Sequence, residues 1–287
     1  DAPLNVQVGP FDCQTHPVRR PQAAKTMLHR HTFGAPERPP LCFLHGFMGS
    51  SADWAPIVQA LEDDFHGLTI DLPGHGESLN RPKKAYSVAG AAEAVVEGLD
   101  ADGIDSCTLV GYSMGGRVAL SLALRHPDRV DRLVLESASP GLRTEPERAE
   151  RRTVDAERAA RIEDDLEAFL ADWYRLPLFG SLARHDLIDE MVRTRSTNDP
   201  QELARALQGL SPGRQTPFWD RLDEIDCPTL VLTGALDDKY TAITKEAAAR
   251  IETACRVVIP KAGHNVHAER PAAFLDVLHS FLPETAE

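Results

Sequence analysis

No stretch of this 287-residue chain approaches the roughly 18 to 20 consecutive apolar residues that a membrane-spanning helix needs. The first thirty residues mix Pro, Asp, Arg and His, without the apolar segment of an export signal. Membrane insertion and secretion are therefore not expected. Cysteine is sparse: Cys13, Cys42, Cys107, Cys227 and Cys255 are odd in number and scattered, and Cys42, Cys107 and Cys227 lie in or beside apolar runs. That usage fits reduced thiols in a cytoplasmic protein rather than a disulfide framework. With no CxxC pair and no Cys/His cluster, no metal is expected. Lysine is short as well, six of the 31 basic residues, and the net charge is -13. A surface so acidic argues against nucleic acid or anionic lipid as the main partner, which leaves a small molecule.

What the chain does contain is alternation. After an N-terminal stretch in which Leu4 to Val8 and Thr26 to His31 read as edge strands, the apolar runs Leu41 to Leu44, Gly67 to Ile70, Thr108 to Val110, Arg132 to Leu135, Thr229 to Leu232 and Arg256 to Ile259 read as buried strands. Helical spacing separates most of them, notably over Val88 to Leu99 and Gly115 to Arg125. Strands alternating with helices predict βαβ units, and so a mostly parallel central sheet flanked by helices. The alternation breaks between Gly141 and about Arg214, where charged helical patterns take over (Glu147 to Arg161, Asp164 to Tyr174, Leu187 to Arg195, Gln201 to Leu210). We expect residues 141–214 to form a helical cap inserted into a core of residues 1–140 and 215–287.

Gly111-Tyr112-Ser113-Met114-Gly115-Gly116 follows one apolar strand and opens a helix. This strand, sharp turn, helix context makes G-x-S-x-G a nucleophile elbow and predicts the α/β-hydrolase fold. A serine hydroxyl needs a base and an acid to orient that base. Asp237 follows the strand Thr229 to Thr233, and His264 follows Arg256 to Pro260, giving the order Ser, Asp, His that this fold uses. Asp238 and His267 are the neighbouring alternatives, each further from its strand end. His45-Gly46-Phe47-Met48-Gly49 lies where the fold supplies one oxyanion-hole amide, so the backbone N–H groups of Phe47 and Met114 are the candidates for the hole. His45 and His75 read as structural histidines with satisfied ring nitrogens.

These motifs leave the reaction open, since one constellation serves esterases, C–C hydrolases, thioesterases and some lyases. From Leu41 onward, however, the chain resembles the 2-succinyl-6-hydroxy-2,4-cyclohexadiene-1-carboxylate synthase family. The resemblance is carried by Tyr112 with Arg117 around the elbow, Arg148-Ala-Glu-Arg151, Asp172-Trp173-Tyr174 with Pro177 and Phe179, Arg195-Ser196 with Asn198, and Gly263-His-Asn-Val-His267. It implies a lyase of menaquinone biosynthesis that eliminates pyruvate from a tricarboxylate, without metal or organic cofactor. It also implies substrate contacts from Tyr112, Arg117, Arg151, Trp173, Phe179, Arg195 and Lys239. Taken alone, each arginine of the 141–214 segment reads more readily as a solvated charge among Glu and Arg pairs than as a substrate contact, and Trp173 and Phe179 read equally as cap core. A serine hydrolase of small esters or C–C bonds, and a non-catalytic hydrolase-fold receptor, are the alternatives.

Overall fold

The computed structural model describes residues 27–283. Among the described residues, seven strands form one sheet in the order β1-β3-β2-β4-β5-β6-β7. They are β1 (Arg30–Phe33), β2 (Pro40–Leu44), β3 (His66–Ile70), β4 (Cys107–Tyr112), β5 (Val130–Glu136), β6 (Thr229–Gly234) and β7 (Ala254–Ile259). Only the edge strand β1 is antiparallel, pairing Arg30 with Ile70 of β3, and every other pair is parallel. The helices are α1 (Ala55–Gln59), α2 (Val88–Ala101), α3 (Met114–Arg125), α4 (Glu145–Asp164), α5 (Leu166–Trp173), α6 (Ile188–Arg195), α7 (Pro200–Gly209), α8 (Asp238–Ala248), α9 (Val266–Glu269) and α10 (Pro271–Phe281).

Side chains alternate across each strand, so the central strands feed two apolar layers. Cys42 and Leu44 of β2 join Leu109 of β4 on one face, against Val95 and Leu99 of α2 and Val118 and Leu122 of α3. Leu41, Phe43 and Val110 point to the other face, against Trp54, Ile57, Phe274 and Leu278. Burial on both faces explains why these strands read as unbroken apolar runs rather than alternating ones.

Between β5 and β6 the sheet is interrupted by α4 to α7. Local signals set each start. Thr144 and Glu147 form a reciprocal capping box on α4, with Pro146 in its first turn. Asp165 caps α5 through Ala168 N–H at 2.9 Å, and Asp199 caps α7 through Glu202 N–H at 3.0 Å. The insertion has its own apolar cluster, in which Ile162, Phe169, Leu170, Tyr174, Phe179, Leu203 and Leu207 surround Met48 from the loop after β2. Buried Glu202 of α7 takes Asn80 N–H at 3.0 Å and the Tyr86 hydroxyl, tying the insertion to the core.

Three expectations need adjustment. The segment Leu4 to Val8 lies outside the described residues, as does Thr26. The edge strand runs over Arg30–Phe33 rather than ending at His31, because Thr32 and Phe33 still pair with Leu68 and Gly67 of β3, and it starts after His29, whose N–H goes to the Ser78 hydroxyl. The helical pattern beginning at Asp164 is split, with Asp164 closing α4 and Asp165 turning extended to cap α5.

Candidate active site

Ser113 stands between β4 and α3 with φ 50° and ψ -103°, a region that L-residues avoid at a cost of roughly 1 to 3 kcal/mol. Neighbouring hydrogen bonds hold it there: Ser113 N–H donates to Glu136 C=O at 2.8 Å, and Arg117 N–H to Ser113 C=O at 3.1 Å. The turn closes only because the residues two positions away on either side are glycines. A Cβ on Gly115 would fall 2.3 Å from Leu44 O, and one on Gly111 2.6 Å from Gly115 O. The strain thus thrusts the Ser113 side chain off the sheet edge.

His264 and Asp237 arrive from the loops after β7 and β6. His264 Nε2 lies 3.0 Å from Ser113 Oγ, and its Nδ1 lies 2.7 Å from Asp237 Oδ2. An ionised carboxylate can only accept, so the imidazole carries its proton on Nδ1 and turns the Nε2 lone pair toward the Ser113 hydroxyl. Asp237 is fixed in turn as the N-cap of α8, taking Tyr240 N–H on Oδ1 at 3.0 Å. Tyr240 packs on His264 with ring centroids 4.4 Å apart. The neighbours of these residues do other work. His267 donates its ring and main-chain N–H groups to buried Glu136, at 2.7 and 3.0 Å, and stacks on Trp54 at 4.1 Å. Asp238 is exposed on α8.

Phe47 follows His45-Gly46 beyond β2, and Met114 is the first residue of α3. Among the described residues neither backbone N–H donates to another protein group. Both residues line a cavity of about 320 Å³ that Ser113 and His264 also line. His45 is held as expected: its Nε2 accepts from Leu72 N–H at 2.9 Å and its Nδ1 donates to Gly46 C=O at 2.7 Å. His75 is not fully satisfied among the described residues, because its Nε2 is buried without a partner there and only Nδ1 reaches Pro73 C=O, at 3.1 Å. Burial, with His45 beside it, pushes the His75 pKa down to about 3, so the ring is neutral.

The same cavity is lined by all seven residues implied as substrate contacts. Tyr112 presents a buried ring wedged between His264 and His267 at 5.5 and 5.0 Å, and burial raises its hydroxyl pKa. Trp173 and Phe179 belong to the apolar cluster of the insertion and also face the cavity, so wall and core are one surface. Arg117 is buried with neutral partners, donating to Leu210 C=O at 2.7 Å and Gln215 Oε1 at 3.1 Å. Burial without a paired carboxylate lowers its pKa to about 10. Arg151 donates to Asp155 Oδ1 at 2.8 Å. Arg195 is far from a solvated charge: it is buried and grips Asp53 with two bonds of 2.7 Å. Burial pulls its pKa down, but Asp53 and Tyr174 outweigh that and hold it above the ordinary arginine value. Lys239, in the first turn of α8, is exposed at the rim.

Reasoning from sequence missed other lining residues, among them Arg158, Ser211, Tyr240 and Asp53, and gave Tyr174 no role of its own. Arg158 carried a signal, lying seven residues after Arg151 on the same helical face with Asp155 between. Asp53 carried none, since it meets Arg195 from 142 positions away.

A family model described as alpha/beta hydrolase fold matches residues 39–271, so the class is that of the α/β hydrolases. The 2-succinyl-6-hydroxy-2,4-cyclohexadiene-1-carboxylate synthase of Enterobacter sp. (strain 638) is 38% identical over 253 residues, 87% of this chain and 93% of that protein. The synthase of the same name from Salmonella newport (strain SL254) is also 38% identical, over 89% of this chain and 99% of its own length. The structure of MenH from S. aureus superposes with a TM-score of 0.84 at 35% identity, covering 88% of this chain and 97% of that one. This chain belongs to the 2-succinyl-6-hydroxy-2,4-cyclohexadiene-1-carboxylate synthase family.

Proposed function

We propose that the protein eliminates pyruvate from 2-succinyl-5-enolpyruvyl-6-hydroxy-3-cyclohexene-1-carboxylate, giving 2-succinyl-6-hydroxy-2,4-cyclohexadiene-1-carboxylate in menaquinone biosynthesis. The observation that carries this reading is one cavity in which a Ser–His–Asp relay faces five cationic side chains, Arg117, Arg151, Arg158, Arg195 and Lys239. A neutral ester has no use for such a wall, whereas a tricarboxylate does.

In the proposed reaction Ser113 Oγ takes the ring proton α to the succinyl ketone while its own proton passes to His264 Nε2. Asp237 stabilises the imidazolium that results. The electrons released from the C–H bond first gather on the ketone oxygen. The Phe47 and Met114 N–H groups stabilise that oxygen, an effect worth roughly 3 to 4 kcal/mol per donor in acyl transfer. They then move through the ring double bond and break the C–O bond to the enolpyruvyl group. That group leaves as the enolate of pyruvate and takes up a proton. No acyl-enzyme forms, and the chemistry asks for acid–base and electrostatic help alone.

Purified protein incubated with the enolpyruvyl substrate should release pyruvate, followed through a lactate dehydrogenase couple, with Ser113→Ala slower by about 10³-fold or more. Equal rates in the two proteins would overturn the lyase reading. An initial burst with a covalently acylated Ser113 during turnover would instead favour a serine hydrolase.

A further inference from the structure

Helix α4 carries a run of arginines whose partners differ. Arg148 and Arg152 share exposed Glu145 at 2.9 and 2.6 Å, and Arg161 meets exposed Asp172 at 2.6 Å, so these three find their acidic partners at the surface, away from the cavity. Arg151 and Arg158 instead face the cavity, and between them stands buried Asp155. Both oxygens of Asp155 are claimed before Arg158 reaches it. Oδ1 takes Arg151 Nε at 2.8 Å, and Oδ2 takes the Ser211 hydroxyl at 2.6 Å. Arg158 Nη1 comes only to 3.5 Å of the shared Oδ1, the outer limit of a hydrogen bond, and Asp155 is its one acceptor among the described residues. Two guanidinium groups thus divide one carboxylate, and the second keeps most of its five N–H donors unspent.

The Arg158 side chain is nonetheless held in place. Its guanidinium lies 5.2 Å from the centroid of Trp173, within reach of a cation–π contact. Trp173 is itself clamped by Phe169 and Phe47, at 5.5 and 5.8 Å. Burial and the like charge of Arg151 lower the Arg158 pKa against the pull of Asp155, a balance that an incoming anion would reverse.

We propose that Arg158 is a substrate-binding residue, a guanidinium set beside Trp173 to receive a carboxylate of the polyanionic substrate alongside Arg151. The inference rests on the lyase reading given above. It assigns Arg158 a role in holding the substrate rather than in moving the proton, so its loss appears in KM before kcat.

The test compares full-length wild type, Arg158→Met and Arg158→Lys. Methionine keeps an unbranched chain against Trp173 and removes the charge, and lysine restores the charge without the fork. Steady-state pyruvate release is expected to show KM raised by about tenfold or more in Arg158→Met, with kcat within about threefold of wild type and partial recovery in Arg158→Lys. Wild-type KM should also climb more steeply with ionic strength than that of Arg158→Met. The rate at which a neutral fluorophosphonate modifies Ser113 should be the same in all three, because that reagent makes no use of a carboxylate site. An unchanged KM in Arg158→Met overturns the inference while leaving the lyase reading intact. A labelling rate that falls in parallel with kcat/KM also overturns it, since the role would then be structural. Absence of pyruvate release from wild type is read first, and it removes both.

Discussion

The sheet edge and the helical insertion contribute polar side chains to one cavity, but the sheet edge fixes its own through main-chain turns, whereas the insertion fixes its arginines through other side chains. Ser113 is set by a strained turn bonded to Glu136 C=O, and Asp237 by the cap of α8. Arg151 and Arg158, by contrast, depend on Asp155 and Trp173, and Arg195 on Asp53. A position held by backbone hydrogen bonds leaves little freedom, as an acid–base relay near 3 Å requires. A position held by a neighbouring side chain can readjust around a ligand at the cost of rotamer changes. The difference therefore separates the residues expected to govern turnover from those expected to govern affinity.

Ways to break that separation follow in order of expected size. Asp237→Asn keeps the shape of the cap but lets the imidazole take the wrong tautomer, so kcat for pyruvate release should fall by about 10³-fold or more with KM little changed. A comparable rise in KM would put the acid among the binding residues. Arg151→Met should do the reverse, raising KM by about tenfold at low salt and leaving kcat within about threefold. That KM difference should shrink at high ionic strength, because the contact is only partly buried. Salt-independent loss would mean that Arg151 supports α4 rather than the substrate.

The last effect belongs to the core beneath the site and is read in stability rather than in turnover or affinity. His75 is pushed down to about 3 from an ordinary value of 6.5, so between those values the unfolded chain binds a proton that the folded chain refuses. Its contribution to stability is full above pH 6.5 and drains as pH falls toward 3, at up to about 1.4 kcal/mol per pH unit. Burial lowers His45 in the same direction. Urea unfolding at pH 6.5 and 4.5 should show wild type losing stability on acidification, and His75→Asn losing measurably less. An identical pH slope in the two proteins would show that His75 is not a source of the acid sensitivity.

Legibility in the sequence divided along the same line. The central strands β2, β4 and β6 announced themselves as apolar runs because burial on both faces leaves few polar positions. The elbow glycines, the aspartate after β6 and the histidine after β7 were readable because each sits at a fixed offset from a strand end. The capping box at Thr144 and Glu147 is likewise local, since a helix end satisfies its own first N–H groups with nearby side chains. Arg158 was overlooked within a run of arginines that look alike in one dimension. Only the fold distinguishes Arg161, paired at the surface, from Arg158, turned toward the cavity.

By itself, the sequence determined the order of strands and helices, the turn that exposes Ser113 and the two loops that supply Asp237 and His264. These depend on local periodicity, turn chemistry and chain order. The tertiary structure alone decided that Asp53 would hold Arg195 across 142 positions, that Glu136 would claim His267 and leave His264 to Ser113, and that Asp155 would be shared between two arginines. Such pairings depend on which side chains are brought within about 3 Å by packing. Separation along the chain carries no record of that distance.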